Sequence, residues 1–216
     1  MKYYLDNNII IKSEDAAKSY KQSSQHVINY IKSLDYVEAI LDYGCGRLRY
    51  SKLLSNRCNK ITLVDSIDQI NRLQTIYDEK TTVKDYVKSH MKDAVLLSIE
   101  EYEQCDDKFD IIFCSNVLSA IPSKKVRKHI LHNLKKSLSS NGKLIIINQY
   151  RNSFYNNLKT RENTIEYMEG VLTIDADNSK YYGLLNKEII LSILKDASFN
   201  IVDCWYKDQS CFVVCN

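Results

Sequence analysis

The residues of this chain best suited to chemistry gather at one turn, I-L-D-Y-G-C-G-R-L over 40–48. An apolar run leads into it, and Leu48, Leu53 and Leu54 follow at helical spacing, so the pattern reads as strand, tight turn, helix. Glycines at 44 and 46 let the chain turn sharply and let a ligand approach the backbone without meeting a Cβ, and the amides that open the following helix make a polar cradle. The dinucleotide fingerprint G-x-G-x-x-G is not met, because Tyr50 and Ser51 stand where its last glycine is sought. The next apolar run ends in Asp65, 23 residues beyond Asp42. A carboxylate there can accept both hydroxyls of a ribose. Either feature alone reads equally well as loop glycines or a surface carboxylate. In register with a strand and a helix, the two together point to a nucleoside-bearing cofactor, and the glycine spacing disfavours a nicotinamide dehydrogenase.

Short apolar runs at 39–43, 61–65, 94–98, 109–114 and 143–149 must position these residues. They are nearly continuous rather than alternating, as in parallel strands covered on both faces. Helical stretches fit between them. The clearest starts at Ser123, an N-cap candidate, carries Val126, Ile130, Leu134 and Leu138 at four-residue intervals, and is expected to stop at Asn141-Gly142. An amphipathic helix over 13–34, with Tyr20, Val27, Ile28, Ile31 and Leu34 on one stripe, is expected to open the chain within an N-terminal helical segment, 1–36. Residues 151–183 are polar and Tyr-rich (Phe154, Tyr155, Tyr167, Tyr181, Tyr182) and read as a cap-like insert. A helix over 186–197 with Ile189, Ile190, Ile193 and Leu194 inward follows, then two strands joined by Tyr206-Lys207-Asp208-Gln209, short enough only for an antiparallel hairpin. The sum is an α/β doubly wound, mostly parallel seven-stranded sheet with a C-terminal antiparallel hairpin, in three α/β/α layers.

The 216 residues suit a single domain, 1–216. With 44% hydrophobic and 26% charged residues, disorder is excluded as the dominant state. No run approaches the ~20 apolar residues of a membrane span, and Asp6, Asn7 and Asn8 interrupt the N-terminus too early for a signal peptide; a cytoplasmic protein without membrane attachment is expected. A formal charge of +3 is too small to predict nucleic-acid binding unless concentrated on one face. The seven cysteines show neither C-x-x-C nor metal spacing. They read as reduced, structural thiols, with no metal site.

D-Y-G-C-G at 42–46 resembles the D/E-x-G-x-G loop of class I S-adenosylmethionine-dependent methyltransferases, and V-D-S at 64–66 the acidic end of their second strand. K-F-D-I-I-F-C-S-N-V-L-S-A-I-P, followed by a helix and L-S-S-N-G-K-L-I-I-I, is similar to their fourth strand, fourth helix and fifth strand. G-L-L-N-K-E-I-I-L-S-I-L-K-D-A-S-F-N-I-V resembles the final helix and sixth strand. The likeness runs from Ala39 to Asn216 with 151–183 unmatched. It implies a Rossmann-like fold and S-adenosylmethionine as cofactor. It places Asp42, Gly44, Cys45 (through its backbone) and Gly46 around the methionine portion, Asp65 and Ser66 at the ribose and Ile67 against the adenine. Ser98 and Ile99 fall at the adenine edge, and Cys114, Ser115 and Asn116 near the methyl group. Two departures stand out: Leu48 replaces a frequent third glycine, and Ser98 replaces a common Asp.

Methyl transfer from a sulfonium is an in-line displacement with a good leaving group, so positioning can supply most of the catalysis, and no general base is compelled by the sequence. Candidate catalytic residues are Asn116, Tyr150, His26 and Tyr20; Asn148 and Gln149 share the end of the fifth strand with Tyr150. His129 and His132 lie off their helix's apolar stripe and His90 in a polar connection. C-S-N-V stands where an N-P-P-Y-like tetrapeptide would mark methylation of exocyclic base amines. A small-molecule acceptor is the favoured reading over a nucleic acid. The alternatives are an RNA or protein methyltransferase docking through the basic helix 123–138, whose run Lys124-Lys125-Val126-Arg127-Lys128-His129 otherwise reads as a solvated face, and a catalytically degenerate cofactor-binding partner in a complex. A protein partner and the oligomeric state stay open.

Overall fold

A computed structural model describes residues 2–5, 9–149, 153–175 and 179–216. Each apolar run becomes a strand of one large sheet: β1 (Val37–Tyr43), β2 (Cys58–Asp65), β3 (Ala94–Ser98), β4 (Phe109–Ser115), β5 (Leu138–Gln149), β6 (Ile201–Lys207) and β7 (Ser210–Cys215). Their order is β6-β7-β5-β4-β1-β2-β3. β1 is parallel to β2 and β4, and β2 to β3, whereas β6 and β7 form the expected antiparallel pair. Ile40, Leu41, Leu63, Val64, Ile112 and Phe113 are fully buried, as continuous apolar strands under helices require. The fold is the α/β doubly wound, mostly parallel seven-stranded sheet that the sequence implies. β1, β2 and β5 start ahead of their apolar runs. Val37 pairs with Cys58, and the amides of Glu38 and Ala39 both donate to Asp110 Oδ2 at 3.1 Å.

The helices that bear on function are α1 (Gln25–Ser33), α2 (Ser51–Ser55), α3 (Val83–His90), α4 (Lys124–Lys136) and α5 (Lys187–Asp196). Three expectations need correction. The opening helix is shorter than 13–34: two 3-10 turns, Ser13–Ala16 and Tyr20–Gln22, precede α1. Ser19 and Ser24 take extended N-cap conformations there, the competition that serines offer a helix interior. Val27 and Ile31 are buried as expected, but Tyr20 belongs to a turn. Second, α4 keeps Ser123 as its cap, with the Val126 amide donating to Ser123 Oγ at 3.3 Å, yet stops at Lys136 rather than at Asn141-Gly142. A Cβ on Gly142 would lie 2.7 Å from the Phe109 carbonyl oxygen, so this glycine serves close strand approach inside β5 rather than a helix stop. Third, His90 closes α3 and stacks on Tyr86 at 4.3 Å.

The chain divides into two compact units, one of residues 17–114 and 137–144, the other of 1–16, 115–136 and 145–216. In the second, the expected insert comprises a helix Ser153–Lys159 and an antiparallel sheet of Thr164–Tyr167, Gly170–Thr173 and Lys180–Gly183. It is tied to α4 by Arg127, which is 1% exposed. That guanidinium donates to the Ile121 carbonyl at 2.9 Å, to Glu169 Oε2 at 2.9 Å and to Tyr181 Oη at 3.0 Å. His129 and His132 are exposed, as their positions off the stripe imply. All seven cysteines are free thiols. Among the described residues no helix is long and apolar enough to cross a membrane.

Removing one member of a buried ion pair strands the other. Arg127→Ala should therefore lower the unfolding free energy by about 3–5 kcal/mol in urea titration, and Arg127→Lys should restore only part of it, since an ammonium cannot span three acceptors in a planar fork. A loss below about 1 kcal/mol would mean that the contact behaves as a solvated surface pair.

Candidate cofactor site

The turn after β1 is latched to β2 by its own backbone. The amides of Gly44 and Cys45 both donate to the Val64 carbonyl, at 2.8 and 3.1 Å. Gly44 and Gly46 have φ of 76° and 58°, in the left-handed region that glycine enters without steric cost. Leu48 takes φ 58° as well, so the position where relatives of the resembled family often carry glycine keeps a glycine-like conformation with a fully buried leucine. The Cys45 amide joins the latch, while burial pushes its thiol well above the usual range. A Cβ on Gly46 would meet the Ala17 methyl at 3.4 Å.

Asp65 stands at the end of β2, half-buried. Its Oδ2 accepts from the Gly46 amide and its Oδ1 from the Ser66 amide, both at 2.8 Å. Burial raises its pKa, and these two hydrogen bonds pull it down. A carboxylate offers about four acceptor positions, so each oxygen keeps one lone pair for a ligand hydroxyl. Ser66 caps the short helix Ile67–Asn71, accepting from the Gln69 amide at 3.3 Å, and Ile67 is left 52% exposed, an apolar face beside the carboxylate. Ser98 pairs in register with Asp65 but spends its hydroxyl on a capping box: it accepts from the Glu101 amide at 3.1 Å, and its own amide donates to Glu101 Oε2 at 2.7 Å. Ile99, which follows, is half-buried, and Cys114 is buried.

Asp42 is the most perturbed acid. Burial raises its pKa to about 7 against the pull of Ser51 Oγ, which donates to Oδ2 at 2.6 Å, and the nearby Asp65 charge adds to the rise.

Sequence reasoning missed a group of residues that braces this turn. Gln69 Nε2 donates to the Gly46 carbonyl at 2.7 Å, and Tyr77 Oη to the Leu48 carbonyl at 2.7 Å. Tyr77 stacks on Tyr20 at 4.8 Å and on Tyr86 at 5.4 Å, with Lys52 Nζ 4.3 Å from the Tyr77 ring centre. Tyr20 Oη donates to Asp78 at 2.6 Å. Tyr77 and Asp78 form the turn of a hairpin between Gln74–Ile76 and Glu79–Thr81, both with positive φ. Such turns normally announce themselves by Asn-Gly or Asp-Gly, and here no glycine gives the signal. His26 is half-buried on α1.

In the other unit, Ser115 and Asn116 follow the buried part of β4. Asn116 has φ 59°; its amide donates to the Ile147 carbonyl at 2.7 Å, and its Oδ1 accepts from the Gln149 amide at 2.8 Å. Its Nδ2 donates to Ser115 Oγ at 3.3 Å. The carboxamide of this catalytic candidate is thus taken up by the strand ladder. Tyr150 lies outside the described residues.

A family model described as a methyltransferase domain matches residues 41–144, from the latched turn into β5. The uncharacterised protein YmfD of Escherichia coli K12 is 33% identical over 210 residues, covering 97% of this chain and 94% of its own length. The chain belongs to the class I S-adenosylmethionine-dependent methyltransferases. Solved structures share its fold at low identity. PH0226 of Pyrococcus horikoshii OT3 has a TM-score of 0.66 at 19% identity, covering 90% of this chain and 92% of its own. An S-adenosylmethionine-dependent methyltransferase of Clostridium acetobutylicum ATCC 824 has a TM-score of 0.61 at 16% identity, covering 94% and 93%. The residues of this chain fit the cofactor of the family: a carboxylate with spare lone pairs, an exposed isoleucine beside it and two glycines in left-handed conformations.

The high pKa of Asp42 carries a stability signature. A carboxyl raised from its unfolded value near 3.8 to about 7 binds a proton in the fold that the unfolded chain has lost. Its contribution is fully present below about pH 4 and is lost as pH rises through about 7. Thermal melts of the free protein between pH 4 and 7.5 should therefore show the wild type losing stability relative to Asp42→Asn as pH rises. Parallel curves would mean that the carboxyl titrates as if solvated.

Proposed function

We propose that the chain is an active methyltransferase that carries a methyl group from S-adenosylmethionine to a small-molecule acceptor. The observation that carries this reading is the Asp65 carboxylate, held at the end of β2 by one amide on each oxygen and so presenting two parallel acceptor positions to a vicinal diol. Ile67 offers the adenine an apolar face, Ser98 and Ile99 border it, and the Gly44 and Gly46 backbone admits the methionine portion. Asp42 would serve the cofactor's ammonium group, whose charge would favour the ionised carboxylate.

When bound, the cofactor supplies a methyl group on a sulfonium. The work of this chain's residues is to fix that group's direction, and positioning of this kind is worth roughly 7–11 kcal/mol. A small acceptor is supported by the mild formal charge of +3 and by the fate of the basic helix. Its central Arg127 is withdrawn from solvent and committed to Glu169 and Tyr181, which leaves the run without the planar fork best suited to phosphates.

Calorimetric titration with S-adenosylmethionine, S-adenosylhomocysteine and NADH tests the assignment. The first two should bind in the micromolar range and NADH should not. Asp65→Ala should weaken binding by about 10–100-fold, the worth of losing hydrogen bonds to a charged acceptor, while melting as a folded protein. Gly44→Leu should abolish binding, because its φ of 76° and the close backbone approach both exclude a branched side chain. Unchanged affinity in Asp65→Ala would remove the site from this strand end.

A further inference from the structure

Asn148, the penultimate residue of β5, is 0% exposed. Neither its Oδ1 nor its Nδ2 has a hydrogen-bond partner among the described residues. A buried carboxamide can make four hydrogen bonds, and leaving both ends unmade is costly. The strand is held on either side of it by Asn116. The Ile147 carbonyl accepts from the Asn116 amide, and the Gln149 amide donates to Asn116 Oδ1. The two bonds clamp the backbone around residue 148 and fix where its side chain departs. The three residues before it, Ile145, Ile146 and Ile147, are buried and apolar. A rigidly held, fully buried amide with both functions open fits a ligand group rather than a core filler.

We propose that Asn148 is a ligand-recognition residue, binding a neutral planar edge that carries a donor and an acceptor side by side. A lactam, a primary amide and the edge of a nucleobase share that chemistry, and each can pair with a carboxamide through two parallel hydrogen bonds. A charged group is disfavoured, since it would be buried beside a neutral amide. The inference concerns a ligand group held at this strand end and stands beside the methyltransferase reading.

The test uses the full chain. In the protein saturated with S-adenosylhomocysteine, the side-chain amide signals of Asn148 are identified in nitrogen–proton spectra by their absence in Asn148→Leu. Titration with 2-pyridone should move them, and N-methyl-2-pyridone, which lacks the donor, should not. A second readout is stability without ligand. Asn148→Leu replaces the open amide with an apolar side chain of equal heavy-atom count, and Asn148→Val does so with less volume. At least one of the two should melt about 2–8 °C above wild type, a gain that a structurally engaged amide would not give. Both should retain S-adenosylhomocysteine affinity within about twofold, because no cofactor contact is assigned to Asn148. Signals unmoved by 2-pyridone, as for an amide occupied by water only, would overturn the proposal, as would lower melting temperatures in both variants. Failure of the wild type to bind S-adenosylhomocysteine would instead strike the methyltransferase reading, and the same titration of the free protein would then decide the role of Asn148 separately.

Discussion

The site depends on a single carbonyl. Val64 accepts from both Gly44 and Cys45, so the turn that leaves β1 stays attached to β2 while it reverses. The next amide, Gly46, can then reach Asp65 Oδ2. Three consecutive amides thereby belong to one edge of one strand, and the left-handed φ values at Gly44 and Gly46 are what make this possible. Gln69 and Tyr77 hold the far side of the turn through the carbonyls of Gly46 and Leu48. The Asp65 carboxylate and the glycine turn are thus parts of one hydrogen-bonded unit rather than two features that happen to be close.

A side-chain group standing in for a backbone one keeps β5 running to its end. In a parallel ladder a residue donates through its amide and accepts through its carbonyl on either side of a partner residue. Asn116 donates normally to Ile147, but at φ 59° its chain has already turned away, and its carbonyl accepts from Ser119 Oγ at 3.2 Å. The side-chain Oδ1 takes the place of that carbonyl toward Gln149. Asparagine is suited to this position twice over, since it tolerates left-handed φ and carries an amide oxygen of its own. Its role is to position the strand end.

Where burial dictated the pattern, the sequence was readable. The runs around Ile40, Leu63, Ile112 and Ile146 are continuous because both faces are covered. Asp42, Gly44, Gly46 and Asp65 were legible because a turn and a charge recur at fixed places relative to those runs. What could not be read depends on contacts distant in sequence. Gly142 looks like a helix stop until the Phe109 carbonyl is placed against it. Arg127 looks like one of several solvated cations until Glu169 and Tyr181 are brought to it from residues about 40 and 50 positions away. Tyr77 and Asp78 lack the glycine that marks their turn type, so the aromatic brace on Leu48 had no local signal.

Two polar groups are buried where apolar ones would be cheaper. Asp42 and Asn148 are each the penultimate residue of a strand, β1 and β5. In both, the preceding residues are uninterrupted apolar core. Asp42 is partly compensated by Ser51, but burial still brings its pKa to about 7; Asn148 has no described compensation at all. Local propensity, patterning and core packing agree along both strands until these positions, and it is at such breaks in consistency that function is expected to have set the residue. The fold would be more stable with leucine-like residues at the ends of β1 and β5. In the proposed reading, ligands complete the carboxyl and the carboxamide carried there.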